Sequence, residues 1–198
     1  PFLKVVNVSP ETTNHGKRSQ HNERPLHVGI GFLRRATRAN LTEKGRTQAQ
    51  ALAARLAEEQ SKNDIRRIFV SPLRRARDTA SYIEKALGLT ATVDARIKEV
   101  NFGKFENLPW EKSDEFFRVR ENPFVKFPAG ESLVSASHRA YGLIDEIASA
   151  GGEGNVLFVC HGMIMALMST YFRNITQEEF RNFHVDNCQL FEFDFEKR

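Results

Sequence analysis

The run VLFVCHGMIMALM, residues 156–168, is apolar on both sides of a single interruption, Cys160-His161-Gly162. A strand that ends on a polar residue, turns at a glycine and resumes as a helix is how α/β folds present a side chain at the mouth of a pocket. A core histidine satisfied by two hydrogen bonds is the bland alternative. The interruption also keeps the run short of the roughly 18 apolar residues that a spanning helix needs, so no membrane association is expected.

The rest of the chain repeats the strand-then-helix pattern. FLKVVNV at the start and LHVGIGFL further on read as strands, separated by a polar, turn-rich stretch without a hydrophobic period. LTEKGRTQAQALAARLAEEQ has Thr42 at the N-cap and apolar residues at helical spacing. IRRIFVS is a strand, and PLRRARDTASYIEKALG a helix with Pro72 in its first turn and Gly88 at its end. SLVSASHRAYGLIDEIASA returns to helical period, NVLFVC and GMIMALMSTYF follow as strand and helix, and CQLFEFDFE alternates as a last strand. The expected fold is therefore a three-layer α/β sandwich, a mostly parallel sheet with helices on both faces.

A chain of 198 residues can form one such domain over 1–198 without disulfide or metal support. Cys160 and Cys188 fit no zinc or redox spacing and are expected as free thiols, in keeping with a cytoplasmic protein. No metal or cofactor is expected. The start at Pro1 leaves a removed leader open, and composition leaves a homo-oligomer open. The formal charge of +4 favours an anionic partner, but no aromatics interleave with the basic residues, which argues against nucleic acid. From about 100 to 132 the chain has the irregular texture of an inserted, lid-like excursion. Its Phe102, Phe105, Trp110, Phe116 and Phe117 are expected to pack as a lid or side wall over the pocket.

Two strand ends carry polar side chains directly into helix N-termini: FVSPLRRA brings Ser71 and the Arg74/Arg75 pair, and FVCHG brings His161 with Gly162 opening the helix. A guanidinium fork and helix N–H donors together make an anion pocket. The expected ligand is an anionic small molecule or phosphate ester.

Five segments in order, LTEKGRTQAQALA, VSPLRRARDTA, IKEVNFGKFEN, PAGES and LFVCHG, resemble successive motifs of the histidine phosphatase superfamily, which includes the cofactor-dependent phosphoglycerate mutases. The resemblance implies that Arg75 grips phosphate, that His161 contacts its oxygens and that Glu99 donates a proton to the leaving group. Asn187 in VDNCQL falls where the family often has a polar residue before its final strand.

The family's nucleophile lies in an N-terminal Arg-His-Gly motif, which this chain lacks. In one register VSPETT takes its place, with Val8 at the arginine and Ser9 at the nucleophilic histidine. In the other, FLRRATRANLTEKG puts Arg34 at the arginine and Arg35 at the histidine. A serine hydroxyl needs a general base beside it, and an arginine stays protonated, so neither replaces an imidazole directly. His15, His21 and His27 are the histidines from which a rearranged loop could restore one. Three readings follow: an enzyme repurposed for acid/base chemistry by Glu99 and His161, a pseudophosphatase that binds a phosphorylated ligand or a protein partner, and a surviving phosphatase.

Overall fold

The computed structural model describes residues 2–8, 40–106 and 114–195. Its strands are β1 (Phe2–Asn7), β2 (Ile65–Val70), β3 (Ala91–Val93), β4 (Asn155–Cys160) and β5 (Leu190–Asp194). They form one sheet in the order β3-β2-β4-β1-β5, parallel throughout except for the antiparallel edge strand β5. The helices are α1 (Glu43–Glu58), α2 (Gln60–Asn63), α3 (Arg74–Leu87), α4 (Asp114–Glu121), α5 (Leu133–Ala150), α6 (Gly162–Phe172) and α7 (Gln177–Arg181).

Side-chain alternation splits the core into two layers. Leu3 and Val5 of β1 join Val156, Phe158 and Cys160 of β4 in the cluster with α5 and α6. Val6 and Val8 join Leu157 and Val159 in the cluster with α1 and α3. All six residues of β4 are buried, which is why this central strand reads as a continuous apolar run rather than an alternating one. Each large side chain so buried contributes about 1.5–3 kcal/mol. Lys4, buried in β1, is matched by Glu192 on the neighbouring edge strand.

Thr42 caps α1, its hydroxyl accepting from the Gly45 N–H at 3.0 Å, and α3 ends at Gly88 as expected. Three details differ from the sequence reading. Helix α3 starts at Arg74 behind an extended Leu73, so Pro72 precedes the helix instead of sitting in its first turn. The short strand β3 pairs with β2 over three residues, too few to show a period. The segment 100–132 contains helix α4, which the sequence reading left irregular. Phe102, Phe105 and Phe116 are buried with Phe127, ring centroids 5.1 Å apart for Phe102–Phe127 and 5.5 Å for the stacked Phe116–Phe127 pair. They belong to the same cluster as Ile164 and Met165 of α6, a wall continuous with the core, and Phe117 packs against it. Trp110 and the expected strand LHVGIGFL lie outside the described residues.

This wall is tied to the loop before it by two glycines. Lys104 N donates to Pro128 O at 2.9 Å and Glu131 N to Asn101 O at 3.0 Å. A Cβ on Gly103, whose φ is +57°, would stand 2.0 Å from Pro128 O, and one on Gly130 would stand 2.3 Å from Asn101 O. Gly130→Ala is therefore expected to cost about 3 kcal/mol through overpacking against backbone that cannot yield. Gly142→Ala, in open space on α5, should instead stabilise by about 0.5–1 kcal/mol. Urea midpoints of the two variants check the contrast.

Candidate active site

The sheet order places the carboxyl ends of β2, β4 and β1 side by side, and the residues following those ends are Ser71, His161 and Val8. Backbone bonds fix the register at this edge: Ser71 N donates to Val159 O at 3.0 Å, and Val8 N to Cys160 O at 2.8 Å. Crossover helices α3 and α6 then point their N-terminal turns at the same edge. The convergence is a consequence of parallel pairing.

His161 is fully buried at the N-cap of α6. Its Nε2 lies 2.7 Å from Ser71 Oγ, and its Nδ1 lies 3.0 Å from both Arg75 Nη2 and the Val8 carbonyl. Burial first, and the Arg75 cation second, hold its pKa well below the ordinary histidine value, so the ring is neutral and carries one proton. Arg75 can only donate, and its Nε already donates to Val8 O at 3.2 Å. Nδ1 thus faces one donor, Arg75, and one acceptor, the Val8 carbonyl, and Ser71 Oγ at Nε2 can donate or accept, so these contacts suit either neutral tautomer.

Arg75 is 3% exposed, its pKa lowered by burial. Its neighbour Arg74 turns the other way and meets Asp78 at 3.8 Å on the surface. Successive helical residues point about 100° apart, so the expected arginine pair supplies one guanidinium to the site.

Glu99 is half-buried in the segment following β3. One carboxylate oxygen accepts from Val100 N at 2.9 Å, and the other lies 3.5 Å from the N–H of Met163, the second residue of α6. Burial raises its pKa above the usual glutamate value, outweighing those hydrogen bonds and the attraction of Arg75. Arg139 on α5 holds the Glu99 backbone in place. It donates to Glu99 O at 3.3 Å and to Arg96 O at 2.6 Å while gripping Glu131 at 2.8 and 3.1 Å. Neither Arg139 nor Glu131 was singled out in the sequence, although Glu131 is the glutamate of the PAGES segment. The Val8 carbonyl, a backbone acceptor, has no signal in residue identity.

Ser71, Arg75, His161 and Glu99 thus come together, with Gly162 as the first residue of α6. Asn187 donates its amide to Gln48 of α1 at 2.7 Å. The preceding loop is anchored by Asn7, whose buried amide donates to Val185 O at 3.1 Å and Asp186 O at 3.2 Å. Ser9, Arg34, Arg35, His15, His21 and His27 lie outside the described residues. Cys160, directly before His161, is a buried thiol whose pKa burial pushes up, which makes it an inert core residue at neutral pH. Among the described residues no helix is long and apolar enough to cross a membrane.

The sequence model of the histidine phosphatase superfamily (branch 1) matches residues 19–198. A Yersinia pestis protein described as a probable phosphoglycerate mutase is 29% identical over 163 residues, spanning 79% of this chain and 74% of the relative. Among solved structures, mycobacterial hydrolase 2 aligns with a TM-score of 0.73 at 25% identity, over 99% of this chain and 86% of the other. A mycobacterial glucosyl-3-phosphoglycerate phosphatase in complex with inorganic phosphate aligns with a TM-score of 0.69 at 22% identity, over 99% and 91% of the two chains, a likeness of fold.

Proposed function

Because the chain belongs to the histidine phosphatase superfamily, we propose that its strand-end pocket binds a phosphate ester or another small anion and performs acid/base chemistry on it with Glu99 and His161. The observation that carries this reading is the placement of a carboxyl, Glu99, and an imidazole, His161, beside one buried cation, Arg75, whose Nη2 lies 3.0 Å from His161 Nδ1. Glu99 is pushed up, toward a carboxylic acid that can donate, and His161 is pushed down, toward a neutral imidazole that can accept. Burial thus favours the neutral form of both groups, a carboxylic acid and a free imidazole, the forms that a general acid and a general base require. Arg75 supplies the counter-charge for the anion, and the first N–H groups of α6 supply donors at its positive end. The names of the relatives, a phosphoglycerate mutase and a glucosyl-3-phosphoglycerate phosphatase, support a phosphorylated small molecule as the ligand class.

A second reading, binding of a phosphorylated ligand or protein partner without turnover, is favoured by Val8. In the first register this residue stands where the family has an arginine, and its side chain is buried among Val6, Leu41 and Val159. Arg75 is then left as the main counter-charge.

The test is p-nitrophenyl phosphate hydrolysis together with the melting shift produced by vanadate. Acid/base catalysis on a phosphate ester predicts both a shift and a turnover that Glu99→Gln removes. A shift without turnover on this or any phosphorylated metabolite supports the binding reading, and absence of both rejects the pocket. Val8→Arg combined with Ser9→His, and Arg35→His alone, assayed beside the parent, decide which register faces the anion, since only the change at the vacated position can add phosphoryl transfer.

A further inference from the structure

Away from the strand ends, a cavity of about 350 Å³ opens between α4, α5, α6 and α7. It shares no lining residue with the Arg75–His161–Glu99 group. Its described walls are mainly apolar, with Phe117, Leu133, Leu167, Ile175 and Phe180 facing one another, and the volume is that of a small-ligand site. Arg120 also lines it.

Arg120 is out of place in such a wall. It is only 9% exposed, and while its Nη2 donates to the Arg181 carbonyl at 3.1 Å, its buried Nε has no hydrogen-bond partner. The acidic residue of the lining, Glu121, is engaged by Arg181 at 3.1 Å. A buried guanidinium with an unmet N–H destabilises a fold unless something completes it. Burial and the adjacent Arg181 charge disfavour the cation more than Glu121 favours it, so an incoming anion would relieve it.

We propose that this cavity is a second ligand site, taking a small amphipathic carboxylate whose apolar body lies against the five hydrophobic side chains and whose head group pairs with Arg120. A monoanion matches the single net positive charge of the lining, where Arg120 and Arg181 share one carboxylate, Glu121. A phosphate dianion would carry a further charge into an apolar wall, which is costly without a second partner. The site is therefore chemically distinct from the anion pocket at the strand ends.

Calorimetric titration with octanoate and octanol, two probes of equal chain length, tests the proposal. On the parent, octanoate should bind saturably and at least tenfold more tightly than octanol, and saturating vanadate should leave that binding unchanged. Arg120→Met should bring octanoate down to the level of octanol while octanol itself is unaffected. Ser137→Phe, which fills the cavity from α5, should abolish both and provides the reading if Arg120→Met does not fold. Equal affinity of the two probes for the parent, displacement of octanoate by vanadate, or octanoate binding that survives Ser137→Phe overturns the assignment.

Discussion

Arg75→Ala is expected to weaken vanadate and phosphate binding about 10- to 100-fold, the effect of losing a charge-assisted contact worth about 1.5–3 kcal/mol. The same change removes the donors at 3.2 Å from Val8 O and 3.0 Å from His161 Nδ1, so the melting temperature should fall as well. Arg75→Lys should not rescue either property, because an ammonium cannot reach a carbonyl, an imidazole and a ligand with one planar fork. Arg74→Ala, on the exposed face of the same helix turn, is the control and should change neither binding nor stability beyond about 0.5 kcal/mol. Vanadate-induced melting shifts of the three variants read the result; equal shifts in parent and Arg75→Ala would remove the arginine from the anion site.

Glu99→Gln separates chemistry from stability. Turnover should drop about 10²- to 10⁴-fold if the carboxyl is the general acid, with vanadate binding retained. Stability should move the other way. The folded chain holds the Glu99 proton more tightly than the unfolded chain does, because burial raises its pKa. That contribution is complete below the unfolded value of about 4.3 and is lost as pH rises through the raised folded value. The glutamine variant should therefore melt above the parent at pH 8, and the gap should close on acidification below about pH 4. His161 works in the opposite sense. Its folded pKa is depressed, so the stability it brings is present above about pH 6.5 and is lost as pH falls through the folded value. Melting curves of parent and variant from pH 3 to pH 8 test the sign for Glu99, and a variant that melts below the parent at pH 8 would contradict the burial argument.

The sheet and its layers were legible in the sequence wherever an element was long enough to show its period. The six buried residues of β4 and the capped helix α1 lie where the pattern predicts them. The strand β3, three residues long, and the helix α4, embedded in aromatic and charged residues, carry too little periodicity to be read locally. At the site, Ser71, Arg75 and His161 were legible because strand ends that feed helices are marked by a change of pattern. Arg139 and Glu131 were not, since they act on the backbone of Glu99 from another helix and another loop, a relation only the folded chain contains. The register question is sharpened by Val8, whose apolar side chain has a core position that a guanidinium could occupy only at the cost of a buried charge.

The meeting of His161 with Val8 joins positions 153 residues apart in the chain. β1 lies between β4 and β5, so the earliest of the described strands is the one whose neighbours come latest in the chain. At about 5–20 residues per second, it waits roughly 10–40 s for both. During that interval β2, α3 and their local contacts can form, while the anion pocket cannot. A chain cut short between Glu99 and β4 keeps Arg75 and Glu99 but lacks His161 and the α6 N–H that complete the group, so the proposed ligand competence arrives in one late step and reports that synthesis has run past β4.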